Sequence, residues 1–213
     1  MLSFKFKKDT PLNILCLGAH CDDIELGTGG TLLKLIQENK IGQVNWIVFS
    51  SDETRRTEAI SSANQVLENV TNKKITVNSF RDGFLKAKST EIKEYFEKIK
   101  SIIKPDIIFT HYRNDRHQDH RIISDLTWNT WRNHMILEYE IPKYDGDLGI
   151  PNLYVPLEKK ILAKRNKIML DNFVSQREKH WFDEETLNAL PRLRGIESAT
   201  TFAEAFYAHK LIL

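Results

Sequence analysis

Apolar runs of strand length alternate with stretches of helical spacing through the first half of the chain. Residues 13–17, 44–49 and 107–109 are nearly unbroken apolar runs, and 74–77 makes a shorter one. Runs of this kind, bounded by turn-forming residues, read as buried strands. Between them, 29–38 turns Leu32, Leu33, Leu35 and Ile36 inward, and 54–69 spaces Ala59, Ile60, Ala63, Val66 and Leu67 at near-helical intervals. A third helical stretch, 91–103, stops before Pro105. Strand and helix in regular alternation predict a parallel sheet covered by helices on both faces. The expected fold class is therefore α/β, a three-layer α/β/α, Rossmann-like architecture with a mainly parallel sheet.

The second half is less regular. A helix is expected to start within 111–120 and run towards Trp131, and 157–170 regains helical periodicity through Leu157, Ile161, Ile168 and Met169. The segment 141–156 concentrates Pro and Gly, which predicts turns, a small added strand or a loop insertion acting as a lid. The last stretch, TTFAEAFYAHKLIL, is apolar enough to dock on the body. No repeat or linker divides the chain, so 1–213 is expected to form a single domain.

Composition narrows the classes of partner. A formal charge of +2 leaves no basic footprint for nucleic acid. The two cysteines, Cys16 and Cys21, are too close along an extended chain to bridge, and scarce cysteine suits a reducing compartment. Lysines interrupt the N-terminal apolar residues, and no run approaches the roughly 18 residues of a membrane span. A cytoplasmic location without a transmembrane segment is expected.

Two polar clusters stand where predicted strands end. LGAHCDDIELGTGG (17–30) follows the first strand, and HYRNDRHQDH (111–120) begins just past the run 107–109. In an open α/β sheet, side chains from the carboxyl ends of separate strands share one crevice. Imidazole and carboxylate suit Zn²⁺, whose catalytic sites keep three protein ligands and one open position for water. His20 and Asp23, with His120 from the second cluster, would supply them. His117 and His120 are i, i+3, so on a helix one can bind metal while the other faces substrate. Asp22 would be the general base, and His117 would stabilise an oxyanion and protonate a leaving amine. Asp119 or Asp115 would hold the His117 tautomer and raise its pKa. Taken alone, Asp22 and Asp23 read as a solvated turn or helix cap; two such clusters at two strand ends do not. His111 is expected to line the pocket or bond locally, and His134, His180 and His209 to serve surface or packing roles.

The segments Ala19-His20-Cys21-Asp22-Asp23-Ile24-Glu25 and His117-Gln118-Asp119-His120 resemble the motifs Ala-His-Pro-Asp-Asp-x-Glu and His-x-Asp-His of the zinc-dependent LmbE-like, or PIG-L, family of N-acetylglucosaminyl deacetylases. The resemblance implies the LmbE-like fold, with zinc on His20, Asp23 and His120. It also implies Asp22 as base, His117 as electrophilic and acid group and Asp119 as its orienting partner. Arg55 in RRTEA is implied to bind substrate, with Arg56 the alternative. Ser175-Gln176 and Ala203-Glu204-Ala205-Phe206 look like further family landmarks. The implied reaction is removal of an N-acyl, usually N-acetyl, group from an amino sugar or GlcNAc-type glycoconjugate by a homo-oligomer. Cys21 and Gln118 each stand where the family often has Pro. A thiol at Cys21 would expose the site to oxidation or to a soft competing ion. The stretch SSDETRR lacks the Gly-rich character of many relatives.

Other classes fit less well. GTGGT at a helix start would suit a non-catalytic nucleotide-binding module, but the spacing G-x-G-x-x-G is missing. A tight turn and close helix-on-strand packing explain those glycines. A metal-dependent phosphoesterase would use two ions about 3.5–4 Å apart. A catalytically silent scaffold would not retain every ligand and the base. The basic helix 158–167 reads as a solvated face, and as a sharper alternative would attract an anionic substrate or an acidic membrane surface.

Overall fold

The computed structural model describes residues 4–7 and 9–212. The chain runs β1 (Leu12–Gly18), α1 (Asp23–Glu38), β2 (Ile41–Ser50), α2 (Glu53–Val66) and β3 (Lys73–Phe80). A short 3₁₀ turn (Leu85–Lys88) leads into α3 (Ser89–Ile102), β4 (Ile107–His111), α4 (Gln118–Thr130) and β5 (Met135–Tyr139). The remainder is β6 (Leu153–Leu157), α5 (Lys159–Asn172), α6 (Glu184–Glu197) and β7 (Phe202–Ala208).

One sheet holds all seven strands in the order β3-β2-β1-β4-β5-β7-β6. The pairs from β3 through β5 are parallel, and β7 runs antiparallel between β5 and β6. Strand alternation divides the core. On β1, Ile14 and Cys16 join Trp46, Phe109 and the inward residues of α1, α2 and α5. Leu15 and Leu17 face the other way, onto Phe49, Ile108 and the apolar sides of α3 and α4. Each buried Leu, Ile or Phe contributes roughly 1.5–3 kcal/mol of transfer free energy, so both faces of this strand are strongly specified.

The expected three layers are present. Strand order reverses beside β1, where β2 lies on one flank and β4 on the other, and a crevice opens at such a switch point beyond the strand ends.

The structure departs from the sequence expectation in four elements. Helix α1 starts at Asp23 rather than at residue 29, so the glycines lie inside the helix, not in a turn. Close packing is their reason: a Cβ on Gly27 would overlap the Tyr139 ring, and one on Gly30 would sit 2.5 Å from Leu157. Strand β5 went unread because its Glu138 looks solvent-facing, whereas it is buried against Arg113 and Trp128. Helix α6 is masked by Pro191. The docking tail is strand β7, whose pattern Glu204 interrupts, and 141–152 is irregular chain leading into the small strand β6.

Candidate metal centre and active site

The candidate ligand side chains are delivered by strand ends, the short connections after them or the first turn of the helix that follows. Strand β1 ends at Gly18, and His20 and Asp22 occupy the short connection before Asp23 opens α1. Strand β4 ends at His111, and His117 caps α4 with Asp119 and His120 in its first turn. Because β1 and β4 are adjacent and parallel, the two clusters meet.

Their donor atoms converge closely. His20 Nδ1 lies 3.2 Å from His120 Nε2. Asp23 places Oδ2 at 3.4 Å from His20 Nδ1 and Oδ1 at 3.6 Å from His120 Nε2. Tetrahedral ligands at about 2.0–2.2 Å from an ion stand roughly 3.3–3.6 Å apart, so this is the spacing of three zinc donors.

Neighbouring groups assign the tautomers. Asp115 Oδ2 lies 2.9 Å from His120 Nδ1, so that nitrogen carries the proton and Nε2 presents a lone pair. His20 Nε2 faces Asp82 at 3.1 Å and Asp119 at 3.5 Å, so its proton belongs there and its Nδ1 lone pair points at His120. Two lone pairs and a carboxylate this close repel one another unless a cation lies among them. A proton can serve: despite burial, Asp23, Asp119 and Asp82 raise His20 well above the usual imidazole range. A divalent ion satisfies all three donors at once, and this donor set fits zinc by chemistry and spacing.

Asp22 is buried, which raises its pKa, while the Arg55 guanidinium opposes that rise from 3.0 Å. Asp23 is also buried, but His120, His111 and His20 hold it well below the usual carboxylate range. The His117 ring packs edge-on to His20 with centroids 4.9 Å apart and lies 4.6 Å from His120. Burial and these two imidazoles lower its pKa. The Asp119 amide donates to His117 Nδ1 at 3.3 Å, which leaves the proton on Nε2.

Some expected partnerships differ. The Asp119 carboxylate accepts from the backbone amides of Gly83 and Leu85 at 2.7 and 3.1 Å and approaches His20, with no bond to the His117 ring. Asp115 serves His120, and its other oxygen accepts the His117 amide at 2.7 Å. His117 consequently has a lowered pKa rather than the raised one anticipated. Of the two roles expected for His111, lining the pocket is the one seen: the Ala19 amide donates to its Nε2 at 2.9 Å, Asp23 Oδ2 lies 3.2 Å from the same nitrogen, and burial pushes its pKa down to about 4. Arg55 reaches the site, whereas Arg56 turns away to the Val77 carbonyl. Cys21 is buried with its thiol towards the Ser50 carbonyl, and burial pushes its pKa up to about 12, so it is inert. On α5, Lys160, Lys164 and Lys167 are exposed and each pairs with a carboxylate, as a solvated face requires, whereas Arg165 departs from that reading and is buried.

Three contributors went unread in the sequence. Asp82 stands in the loop after β3, and Lys143 and Asp147 come from 141–152. Asp82 had one available signal, its position just past a third parallel strand. Lys143 had none, because only the folded loop brings it to Asp115.

The fold and site define an α/β protein with a two-histidine, one-aspartate centre at a strand-order reversal. The profile of the family PIG-L, GlcNAc-PI de-N-acetylase, matches residues 15–131, more than half the chain. The chain belongs to this PIG-L (LmbE-like) family. Its fold is similar to that of a conserved protein from Thermus thermophilus, at TM-score 0.72 and 18% identity over 95% of this chain and 96% of that one. It is also similar to N,N'-diacetylchitobiose deacetylase from Pyrococcus horikoshii, at TM-score 0.66 and 21% identity over 94% and 86%. A third likeness is to GalB, the 4-carboxy-2-hydroxymuconate hydratase of Pseudomonas putida KT2440, at TM-score 0.73 and 12% identity over 95% and 98%. A hydratase on the same fold means the architecture alone does not choose the reaction. Among the described residues, no helix is long and apolar enough to cross a membrane.

Proposed function

We propose that this chain is a zinc-dependent N-deacetylase that removes an acetyl group from an amino sugar or GlcNAc-type glycoconjugate. The observation carrying the reading is the convergence of His20 Nδ1, His120 Nε2 and the Asp23 carboxylate within 3.2–3.6 Å. Family membership supports the substrate class, and the Pyrococcus relative acts on an N-acetylated sugar by its name.

His20, Asp23 and His120 would hold the ion. When bound, it supplies Lewis acidity, which polarises an amide carbonyl and brings the pKa of water towards about 7. The chain's own groups then divide the proton work. Asp22 accepts the proton of the attacking water, and Arg55 keeps its carboxylate oriented and ionised. His117, neutral with its proton on Nε2, donates a hydrogen bond to the developing oxyanion. The departing amine takes up the proton that Asp22 accepted while His117 stays neutral, so the products are a free amino sugar and acetate. Asp119 supports this from behind, fixing the 82–85 loop through two amides. Asp82, exposed at the mouth beside Arg55, offers an acceptor for sugar hydroxyls.

Acetate release tests the reading. Zinc-loaded protein should release acetate from at least one member of a panel of N-acetyl sugars, and chelation should abolish it. Stoichiometric zinc binding with no acetate from any member, together with hydration of an unsaturated acid, would transfer the site to the hydratase class. Two ions per chain and phosphate release would transfer it to the phosphoesterases. We further assign the chain to a reducing compartment, on its two free buried thiols. We expect a homo-oligomer, which sedimentation would check.

A further inference from the structure

The loop 141–152 reaches the second motif through two of its side chains. Lys143 Nζ lies 3.0 Å from Asp115 Oδ2, the same oxygen that faces His120 Nδ1 at 2.9 Å. The other Asp115 oxygen accepts the His117 amide. One carboxylate thus fixes both histidines of the second motif, the ring of one and the backbone of the other. It is 2% exposed, with burial that demands a counter-charge. The His120 ring and an amide supply hydrogen bonds, and the Lys143 ammonium supplies a permanent formal charge. Asp147, four residues on, grips Lys143 at 2.5 Å and accepts the Arg116 amide at 2.6 Å, so the loop clasps the chain from 115 to 117. The far end of the loop is anchored separately, by Arg194 donating to the Gly149 carbonyl at 3.1 Å.

We infer that Lys143 is a positioning residue which, from the 141–152 loop and through Asp115, holds His120 in its metal-binding orientation and so sets the affinity of the centre for zinc. The inference rests on the zinc reading proposed above. Without Lys143, the uncompensated Asp115 carboxylate swings towards water and stops orienting the His120 ring. Groups that orient a metal-ligating histidine are worth about 10- to 100-fold in metal affinity, and the loss here should reach about 10-fold. The ligands themselves remain, so saturating zinc should restore most of the turnover.

Competition of the purified full-length chain with a chromophoric zinc chelator measures this without using activity. Lys143→Met should weaken zinc binding about 10-fold, and Lys143→Arg, which keeps the charge, should recover most of the loss. Asp147→Asn removes the charge that grips Lys143 but leaves Lys143 on Asp115, and should change affinity less than about 3-fold. Thermal unfolding identifies any variant that fails to fold, in which case the Lys143→Arg and Asp147→Asn pair decides. Parental affinity in Lys143→Met, or an equal loss in Asp147→Asn, would overturn the role of Lys143 while leaving the zinc site standing. Failure of the parent chain to bind zinc would overturn both.

Discussion

The molecule buries two polar clusters under the same sheet, and they are built on opposite terms. Around His20 and His120, two ring nitrogens face one another at 3.2 Å and a carboxylate crowds both. Around Glu140, every charge has its partner: Arg194 donates to both oxygens at 2.8 and 2.6 Å, and the Tyr207 hydroxyl adds a third bond at 3.0 Å. Both are almost wholly desolvated. A buried cluster that completes itself serves the fold, whereas one that needs a cation to become stable is prepared for a ligand. Location agrees. The first cluster lies at the β1/β4 reversal, and the second ties α6 to the antiparallel side of the sheet.

Removing a reacting group from the first cluster should have the largest effect. Asp22→Asn should lower turnover by about 10²–10⁴ while zinc remains bound, as read by kinetics alongside metal analysis. Near-parental turnover would remove Asp22 from the chemistry. His120→Ala should lose zinc and activity together.

Breaking the second cluster should cost stability and leave the site chemistry alone. Arg194→Met strands Glu140 inside the protein and should cost about 3–5 kcal/mol in denaturant unfolding. Adding Glu140→Leu should recover much of that, because replacing both partners removes the stranded charge. A single variant as stable as the parent would mean the pair is not the clasp described.

Glu25 lies between these extremes: fully buried, neither of its oxygens is hydrogen-bonded, and burial pushes its pKa up to about 8. The folded protein then keeps a proton that the unfolded chain releases above about pH 4.3. Stability from this group is complete below that pH and declines as pH climbs to about 8. Metal-free Glu25→Gln should escape the decline and gain about 1–3 kcal/mol on the parent between about pH 5 and 8. Parallel stability–pH curves for the two proteins would refute a neutral Glu25.

Gly27→Ala drives a methyl into the Tyr139 ring, which should cost about 1–3 kcal/mol and show as a lowered Tm. The smallest expected effect concerns Cys21, whose buried thiol should resist iodoacetamide at about pH 8 until the protein is unfolded. Rapid alkylation of native protein would show that the thiol is accessible.

The alternation of apolar runs and helical spacings was enough to read β1, β2 and β4, because strands buried on both faces leave long apolar signatures, and β3 from a shorter run. It was not enough for β5 or β7. Each carries a buried glutamate, Glu138 or Glu204, whose partners are remote in sequence: Arg113 for the first, and the Gly30 and Thr31 amides for the second. The start of α1 was misplaced for a related reason. Three glycines resemble a turn until Tyr139, Arg165 and Leu157 are seen to occupy the space their side chains would fill.

The sequence by itself determined the candidate ligand types, their spacing and their places near strand ends, since these follow from local pattern and from the chemistry of imidazole and carboxylate. Only the tertiary structure decided which carboxylate serves which histidine. Asp115 and Asp119 are equally close neighbours of His117 along the chain, yet one turns to His120 and the other to the amides of Gly83 and Leu85. Hydrogen bonds depend on direction and on distances of a few tenths of an ångström, and chain spacing fixes neither until the loops carrying Asp82 and Lys143 have closed around the site.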